Sequence, residues 1–232
     1  EEFIRVLRGL WRSKQDGPFS HLGDFYRIHD FTLQPGPVDV PGRPHPEIFQ
    51  GGNSTAARRN GGTVADWYFS NGKDLDGFTE QYLEVNQNAA LAGREGQVRF
   101  GLNGFVVARD SEDEAHAVLE EIIEKANPEA VEGFRQAVQQ AGSSTADGKG
   151  MWSDSTFRDL VQYNDGFRTG LVGTPEQVAT RIVEFKKRGV DLFLLGFLHY
   201  LEDIAYFGEK VLPLVRELEA QAVRDGELTP TR

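Results

Sequence analysis

From Glu47 onward, short apolar segments alternate with segments of helical periodicity, and this alternation limits the folds that the chain can adopt. Strand-like segments are found at 47–50, 65–70, 98–108 and 190–197. The last of them is apolar on both faces, as expected for a parallel strand buried between layers. Because strands that alternate with helices form parallel sheets, the sequence predicts an α/β fold.

Segments with apolar residues at helical spacing follow the strands. We predict helices at 54–60, 74–92, from Ser111 onward, at 128–140 and at 202–222. Another helix starts at Thr174, where the following Pro175 suits the first helical position, and it runs to Arg188. The pair Gly61-Gly62 is predicted to end the helix at 54–60 in a left-handed turn.

Two segments lie outside the alternation. A helix at 2–12 is followed by residues 13–46, which are rich in Pro, Gly and polar residues and hold a strand-like stretch at 25–28. Residues 141–170 have the composition of a mobile loop. Long loops in compact domains usually have a function, so we interpret 141–170 as an insertion or lid.

The predicted fold is a (β/α)8 barrel of which this chain supplies half. A Rossmann fingerprint and a P-loop are both missing from the sequence. The candidate functional segments all follow strand ends, which is where the active-site residues of such barrels lie. Four βα units are evident where a closed barrel needs eight, so we assign residues 1–232 to the C-terminal portion of a single barrel domain.

Composition excludes several classes of function. The formal charge of −11 and the pI near 5.0 argue against partners such as nucleic acid or anionic membrane. The chain has no cysteine, which excludes disulfides and thiolate chemistry within it and fits a cytoplasmic protein. The first segment is an amphipathic helix and not a signal peptide. It begins with Glu1 and not with methionine, so we expect the natural start elsewhere.

The turn after the first strand is the strongest candidate for a ligand site. It consists of Gly51, Gly52, Asn53 and Ser54, and the last two are good N-cap residues for the helix that follows. Backbone N–H groups and the positive end of the helix dipole then point at one spot, where glycine allows a phosphate to approach. The alternative is an ordinary βα turn in which the glycines only reverse the chain.

Five segments together resemble one family. They are Phe49-Gln-Gly-Gly-Asn-Ser54, Phe100-Gly-Leu-Asn-Gly-Phe105, Gln162-Tyr-Asn-Asp-Gly-Phe-Arg-Thr169, Leu171-Val-Gly-Thr-Pro175 and Gly196-Phe-Leu-His199. Their content and order resemble the bacterial luciferase-like flavin monooxygenases. Within that family, the chain looks most like the reduced-FMN-dependent dimethylsulfone monooxygenases, which are relatives of the alkanesulfonate monooxygenases.

The resemblance implies a cofactor, partners and a reaction. It implies FMN, supplied in reduced form by a separate NAD(P)H-dependent flavin reductase, with O2 and a small organosulfur compound as substrates. It implies that the FMN phosphate binds at Gly51, Gly52, Asn53 and Ser54, and that the strands here are the fifth to eighth of the barrel. Relatives suggest a dimer or tetramer. The implied reaction is oxidation of dimethylsulfone with C–S cleavage to methanesulfinate and formaldehyde.

The resemblance also suggests reactive-site residues. His199 follows the last strand, where the sulfonate enzymes have an active-site His, although a lone His there is often structural. Asn103 and Phe105 stand where those enzymes have Arg and His, which favours an uncharged sulfone over a sulfonate. Arg168 and Tyr163 lie in the segment that joins the insertion to the next helix, from which the guanidinium would reach phosphate or substrate.

Other interpretations stay open at this point. Phe105, like Phe197 near the last strand end, also suits a barrel core. The activity alternatives are an alkanesulfonate monooxygenase of the same family, a deazaflavin-dependent oxidoreductase and a non-catalytic flavin-binding half-barrel. The histidines show no metal-ligand spacing, so we predict no metal site.

Overall fold

The computed structural model describes residues 1–43, 45–150, 152–161, 163 and 165–229. The strands are β1 (Phe19–Leu22), β2 (Arg27–Phe31), β3 (Phe49–Gly51), β4 (Trp67–Ser70), β5 (Arg99–Phe105), β6 (Val107–Ala108), β7 (Val172–Gly173) and β8 (Leu192–Gly196). The helices are α1 (Glu2–Asp16), α2 (Thr55–Val64), α3 (Leu75–Leu91), α4 (Glu112–Lys125), α5 (Pro128–Ser143), α6 (Phe157–Leu160), α7 (Pro175–Lys187), α8 (Tyr200–Tyr206) and α9 (Leu212–Arg224). A 3₁₀ helix spans Asp165–Thr169, and a π-helical turn at Phe207–Val211 joins α8 to α9.

A parallel sheet of four strands, in the order β3-β4-β5-β8, forms the centre of the molecule. The predicted parallel α/β sheet is therefore confirmed. All four strands point the same way, so their carboxyl ends meet at one edge of the sheet. The glycine turn follows the end of β3 and His199 follows the end of β8, so both of these candidate segments lie at that edge.

The two faces of this sheet differ sharply. On one face Tyr68, Phe100 and Leu102 are fully buried and pack against α3 through Phe78 and Val85. The opposite face is formed by the alternate residues, and several of its apolar side chains are exposed. Phe49 is 51% exposed and Leu194 is 58% exposed. Helices thus cover one face, and the other is the face that would line the inside of a barrel.

The predicted long strand at 98–108 is wrong in one respect, because it divides after Phe105. The segment β5 pairs with β8, whereas β6 pairs with β7 in a separate two-stranded ladder. The bond from Val106 N to Gly196 O (2.9 Å) is the last link to the main sheet. Beyond this bond the chain pairs with β7, so one apolar segment contributes strands to two separate ladders.

Several predicted boundaries also change. The N-terminal helix continues to Asp16, and the strand-like stretch at 25–28 belongs to an antiparallel hairpin of β1 and β2. The segment 141–170 is not a continuous loop, because α5 reaches Ser143 and the segment also holds α6 and the 3₁₀ helix. Within the described ranges, no helix is long and apolar enough to cross a membrane.

The predicted helix stop at Gly61-Gly62 is wrong, because α2 runs through both residues to Val64. Neither glycine has a positive φ. They are needed for close packing instead, since a Cβ on Gly62 would lie 2.6 Å from the carbonyl oxygen of Val85 in α3. A Cβ on Gly61 would lie 2.5 Å from the ring of Tyr68. Tertiary packing therefore overrides the local stop signal.

Gly62→Ala should destabilise the protein by about 1–3 kcal/mol, because the rigid backbone of α3 leaves no room for a methyl group. The matched control is Gly133→Ala in α5, where a Cβ meets nothing within 4 Å. Ala there should stabilise by roughly 0.4–1 kcal/mol. Urea denaturation followed by circular dichroism measures both changes. Equal effects of the two substitutions would contradict the packing role of Gly62.

Candidate cofactor and substrate site

The glycine turn after β3 leads directly into a capped helix, as the sequence predicts. Ser54 is the N-cap of α2, and its Oγ accepts from Ala57 N (3.3 Å). Gly52 has φ 119°, and its carbonyl accepts from the Tyr68 hydroxyl. A Cβ on Gly52 would lie 2.7 Å from the Cβ of Ala57. The turn is therefore tight, and only glycine suits this position.

The buried side chain of Arg58 fixes the position of Asn53. The guanidinium of Arg58 donates from Nε to Asn53 O (3.0 Å) and from Nη2 to Asn53 Oδ1 (3.1 Å). Its Nη1 pairs with Glu80 (2.9 Å) and Glu84 (2.6 Å) of α3. The Asn53 amide also accepts from Gln81. The side chain of Asn53 thus fixes the turn, a role that the sequence interpretation did not foresee.

The N-terminus of α2 already holds an anion from the chain itself. Asp147, from the segment after α5, accepts from Thr55 N at 2.7 Å through Oδ2. Its Oδ1 accepts from Lys149 N (3.1 Å) and from Thr145 Oγ1 (3.0 Å). Donation by the Thr55 backbone, the largest cause, holds the pKa of Asp147 well below its usual range. A carboxylate therefore lies where the sequence predicts a phosphate.

A small cavity of about 10 Å³ lies beside this turn, between the ends of β3 and β4 and the 3₁₀ helix. Its lining residues are Gly52, Asn53, Ser70, Asn71, Lys73, Gln81, Trp152 and Asp165. This volume suits a single water molecule. Two buried donors at the cavity, Asn71 Nδ2 and Trp152 Nε1, have no hydrogen-bond partner in the described part of the chain.

Charged groups surround the cavity. Arg168 of the 3₁₀ helix contacts the Asp154 carboxylate (3.3 and 3.4 Å) and lies 4.0 Å from Asp165. Asp165 is buried and accepts from Ser155 Oγ at 2.8 Å. Burial raises the pKa of Asp165 to about 6, and it lowers the pKa of the nearby Lys73. Arg168 thus lies near Asp165, which lines the cavity, and Asp154 already engages its guanidinium.

Asn103 and Phe105 lie together on the open face of the sheet. Asn103 is in register with Leu194, and Phe105 is in register with Gly196. The ring of Phe105 meets Phe167 of the 3₁₀ helix edge-to-face, with centroids 4.8 Å apart. The 3₁₀ helix therefore adjoins both the charged cavity at β3 and β4 and this neutral region at β5 and β8.

Neither His199 nor Tyr163 is among the described residues that line the cavity. His199 is exposed at the start of α8, and its backbone N–H donates to Asp203 Oδ2 (2.9 Å). Tyr163 packs edge-to-face on Phe134 of α5, with centroids 5.2 Å apart. Phe197 is buried in the helix-side core against Phe207, which supports its structural interpretation. Gln162 and Asn164 lie outside the described residues.

The sequence interpretation missed Asn71, Lys73, Asp165 and Asp147. A signal existed for the first two, since they follow the end of β4 as the glycine turn follows β3. Within the described ranges, no group of His, Asp and Glu is placed to hold a metal ion.

Asp165→Asn should reduce the loss of stability that occurs as pH rises. The pKa of Asp165 is about 6 in the folded protein and about 3.8 ordinarily. Its contribution is therefore fully present below about pH 3.8 and is lost as pH rises through about 6. We expect the wild type to lose up to about 3 kcal/mol more than the variant across that window. Urea denaturation at both ends of the window measures this difference, with the exposed Asp76→Asn as control. Parallel pH profiles for wild type and Asp165→Asn would contradict it.

Comparison with known proteins places this geometry in a family. The family model described as luciferase-like monooxygenase matches residues 1–192. The FMNH2-dependent dimethylsulfone monooxygenase of Pseudomonas putida is 56% identical over 221 residues, which cover 95% of this chain and 59% of that protein. The protein of the same name from Pseudomonas fluorescens is 54% identical over 222 residues, covering 96% of this chain and 58% of that protein.

Solved structures agree on the fold. A riboflavin lyase superposes with a TM-score of 0.70 and 22% identity, over 98% of this chain and 57% of the other. DmoA from Hyphomicrobium sulfonivorans gives 0.64 and 21%, over 99% and 56%. The chain thus spans about three fifths of the length of the curated relatives that it matches. The fold is that of part of a luciferase-like barrel, and the chain belongs to the luciferase-like monooxygenase family.

Proposed function

We propose that this chain forms part of a two-component monooxygenase that uses reduced FMN and O2 to oxidise dimethylsulfone. The observation that carries the proposal is the 56% identity, over 95% of the chain, to a protein named FMNH2-dependent dimethylsulfone monooxygenase. The glycine turn with the α2 terminus, and the neutral region at β5 and β8, support places for an anionic cofactor and an uncharged substrate.

The geometry at α2 fits the phosphate of FMN. The tight glycine turn lets an oxyanion approach the backbone, and the helix terminus supplies N–H donors. The contact of the Asp147 carboxylate with Thr55 N (2.7 Å) supports a preference for an anion at this terminus. Gly51, Gly52, Asn53 and Ser54 would hold the phosphate through their backbone, because Asn53 and Ser54 use their side chains to stabilise the turn and the helix.

Asn103 and Phe105 favour a neutral substrate. A sulfone carries no net charge, and its oxygens accept hydrogen bonds of the kind that the Asn103 amide donates. A sulfonate would need a cationic partner, and neither residue supplies one. Phe105 and Phe167 together offer an apolar wall that excludes water from the reaction. These features support dimethylsulfone over an alkanesulfonate.

The proposed reaction converts dimethylsulfone, O2 and FMNH2 into methanesulfinate, formaldehyde, oxidised FMN and water. One methyl carbon is oxidised and its C–S bond breaks. Bound reduced FMN would supply the two electrons that activate dioxygen. This chain would contribute orientation of both partners and exclusion of water. His199, Arg168 and Tyr163 stay candidates for contact with substrate or cofactor, and His199 is the group best suited to exchange a proton near neutral pH.

The proposal extends to partners and organisation. A separate NAD(P)H-dependent flavin reductase would deliver reduced FMN, and the assembled enzyme would be a dimer or tetramer. Residues 1–232 would be the C-terminal portion of one barrel domain, with 141–170 as its insertion. The proposed location is the cytoplasm, with which the lack of cysteine is compatible.

The decisive assay measures formaldehyde from dimethylsulfone in the presence of O2, FMN, NADH and a flavin reductase. It should be run on this chain and on the complete product of the gene that encodes it. We expect oxygen-dependent formaldehyde from the complete product. FMN binding without formaldehyde would refute the sulfone assignment, and sulfite released from methanesulfonate in place of it would favour the alkanesulfonate alternative.

Asp147→Asn should tighten FMN binding, because the phosphate then displaces a neutral amide and not a carboxylate from the α2 terminus. A carboxylate at a helix terminus contributes about 0.3–1 kcal/mol, so the dissociation constant should fall roughly 2- to 5-fold. Flavin fluorescence titration measures this change. Asp113→Asn, in the exposed first turn of α4, is the control. Unchanged or weaker binding by Asp147→Asn would mean that Asp147 and the phosphate do not share a position.

A further inference from the structure

Asp203 of α8 is a buried carboxylate whose two oxygens are both engaged. The residue is 9% exposed. Its Oδ1 accepts from Nη1 of Arg109 (3.0 Å), and its Oδ2 accepts from the backbone N–H of His199 (2.9 Å). The backbone N–H of Asp203 in turn donates to His199 O (2.8 Å). Asp203 thus holds both polar groups of the His199 backbone.

Arg109, the cationic partner of Asp203, is itself fixed by the ladder of β6 and β7. Its backbone N–H donates to Gly173 O (3.1 Å), and its guanidinium also donates to Ala108 O (2.7 Å). The side chain of Arg109 is 25% exposed, so solvent screens its ion pair with Asp203 less than it screens a surface pair. The position of Asp203 is therefore set by a hydrogen-bonded ladder that lies outside α8.

Further contacts join the same parts of the chain on both sides of His199. Before it, Val106 N donates to Gly196 O (2.9 Å). After it, the Tyr206 hydroxyl of α8 donates to Asp110 Oδ1 (2.7 Å). Loss of solvent, the largest cause, and the bond to Asp110 raise the pKa of Tyr206 to about 12, so its hydroxyl stays a neutral donor. The segment that follows β8 is thus tied to the segment that follows β5.

The imidazole of His199 is not needed for these contacts. His199 is the N-cap of α8, and its side chain makes no capping hydrogen bond among the described residues. The residue is exposed and follows the end of β8, at the edge of the sheet where the active-site residues of barrels lie. A backbone bonded through both N–H and C=O leaves the imidazole with a defined origin.

We propose that Asp203, held by Arg109, is the residue that positions His199 at the carboxyl end of β8. This assignment rests on the proposed function, in which His199 contacts the substrate or exchanges a proton. Asp203 touches neither substrate nor cofactor and acts through the His199 backbone. Placement matters for such a group, because an error of about 1 Å in a reacting geometry costs up to roughly 100-fold in rate.

The first test observes the His199 imidazole directly by NMR on this chain. The chain has five histidines, and His199→Gln identifies the signal of interest. Asp203→Asn should move or split that signal and leave the other four in place, because an amide has one acceptor oxygen and cannot serve both Arg109 and His199. Arg109→Lys keeps a cation and should retain a signal close to that of the wild type.

A matched control breaks another shielded ion pair. Glu219→Gln removes the carboxylate that pairs with Lys186, whose side chain is 22% exposed, and it should leave the His199 signal in place. If Asp203→Asn fails to fold, Arg109→Gln tests the same pair with the carboxylate retained. An unmoved His199 signal in the folded variant would overturn the assignment. Equal shifts of all five histidine signals would overturn it too, since they would indicate a general structural change.

The second test measures formaldehyde formation by the complete gene product. Asp203→Asn should lower kcat about 10-fold and leave KM and the dissociation constant of FMN unchanged within about 2-fold, because a misplaced group is missed mainly in the transition state. An unchanged kcat, or a parallel loss of FMN affinity, would overturn the positioning role. A wild type that binds FMN and forms no formaldehyde would refute the proposed function, and the NMR result alone would then decide whether Asp203 positions His199.

Discussion

The buried guanidinium of Arg58 is the interaction on which the rest of the site depends. It joins the turn after β3 to two carboxylates of α3, so one side chain links the first two βα units. Buried charges are tolerated only when they are paired and hydrogen-bonded, and Arg58 meets both conditions. With the turn fixed, the α2 terminus and the cavity beside it keep a constant relation to β4.

The 3₁₀ helix connects the charged region at β3 and β4 to the neutral region at β5 and β8. At one side Gly72 packs on its backbone, since a Cβ there would lie 1.9 Å from Asp165 O. At the other side Phe167 packs on Phe105 at the end of β5. A single short element thus contacts the strand ends on both sides.

Local signals in the sequence account for much of this fold. The parallel strands, the cap at Ser54 and the start of α7 at Thr174 are each encoded within a few residues. The wrong or missing predictions have a common cause. The residues concerned contact partners that are far away in the sequence. Gly61-Gly62 carries a local stop signal, but α3 dictates its role. Arg58 pairs with carboxylates that lie 22 and 26 residues away in the sequence, and Asp147 contacts Thr55 across 92 residues.

The sequence predicts the candidate site only in part, for the same physical reason. The glycine turn is predictable because the strand, the glycines and the cap are contiguous. Lys73 and Asn71 also follow a strand end, but the cavity that they line is completed by Trp152 and Asp165, which are distant in the sequence. Charge is therefore concentrated where β3 and β4 end, and neutral groups where β5 and β8 end. In the proposed enzyme this separation has a physical purpose, because a dianionic phosphate is stabilised at one end of the sheet while an uncharged sulfone meets no competing cation at the other.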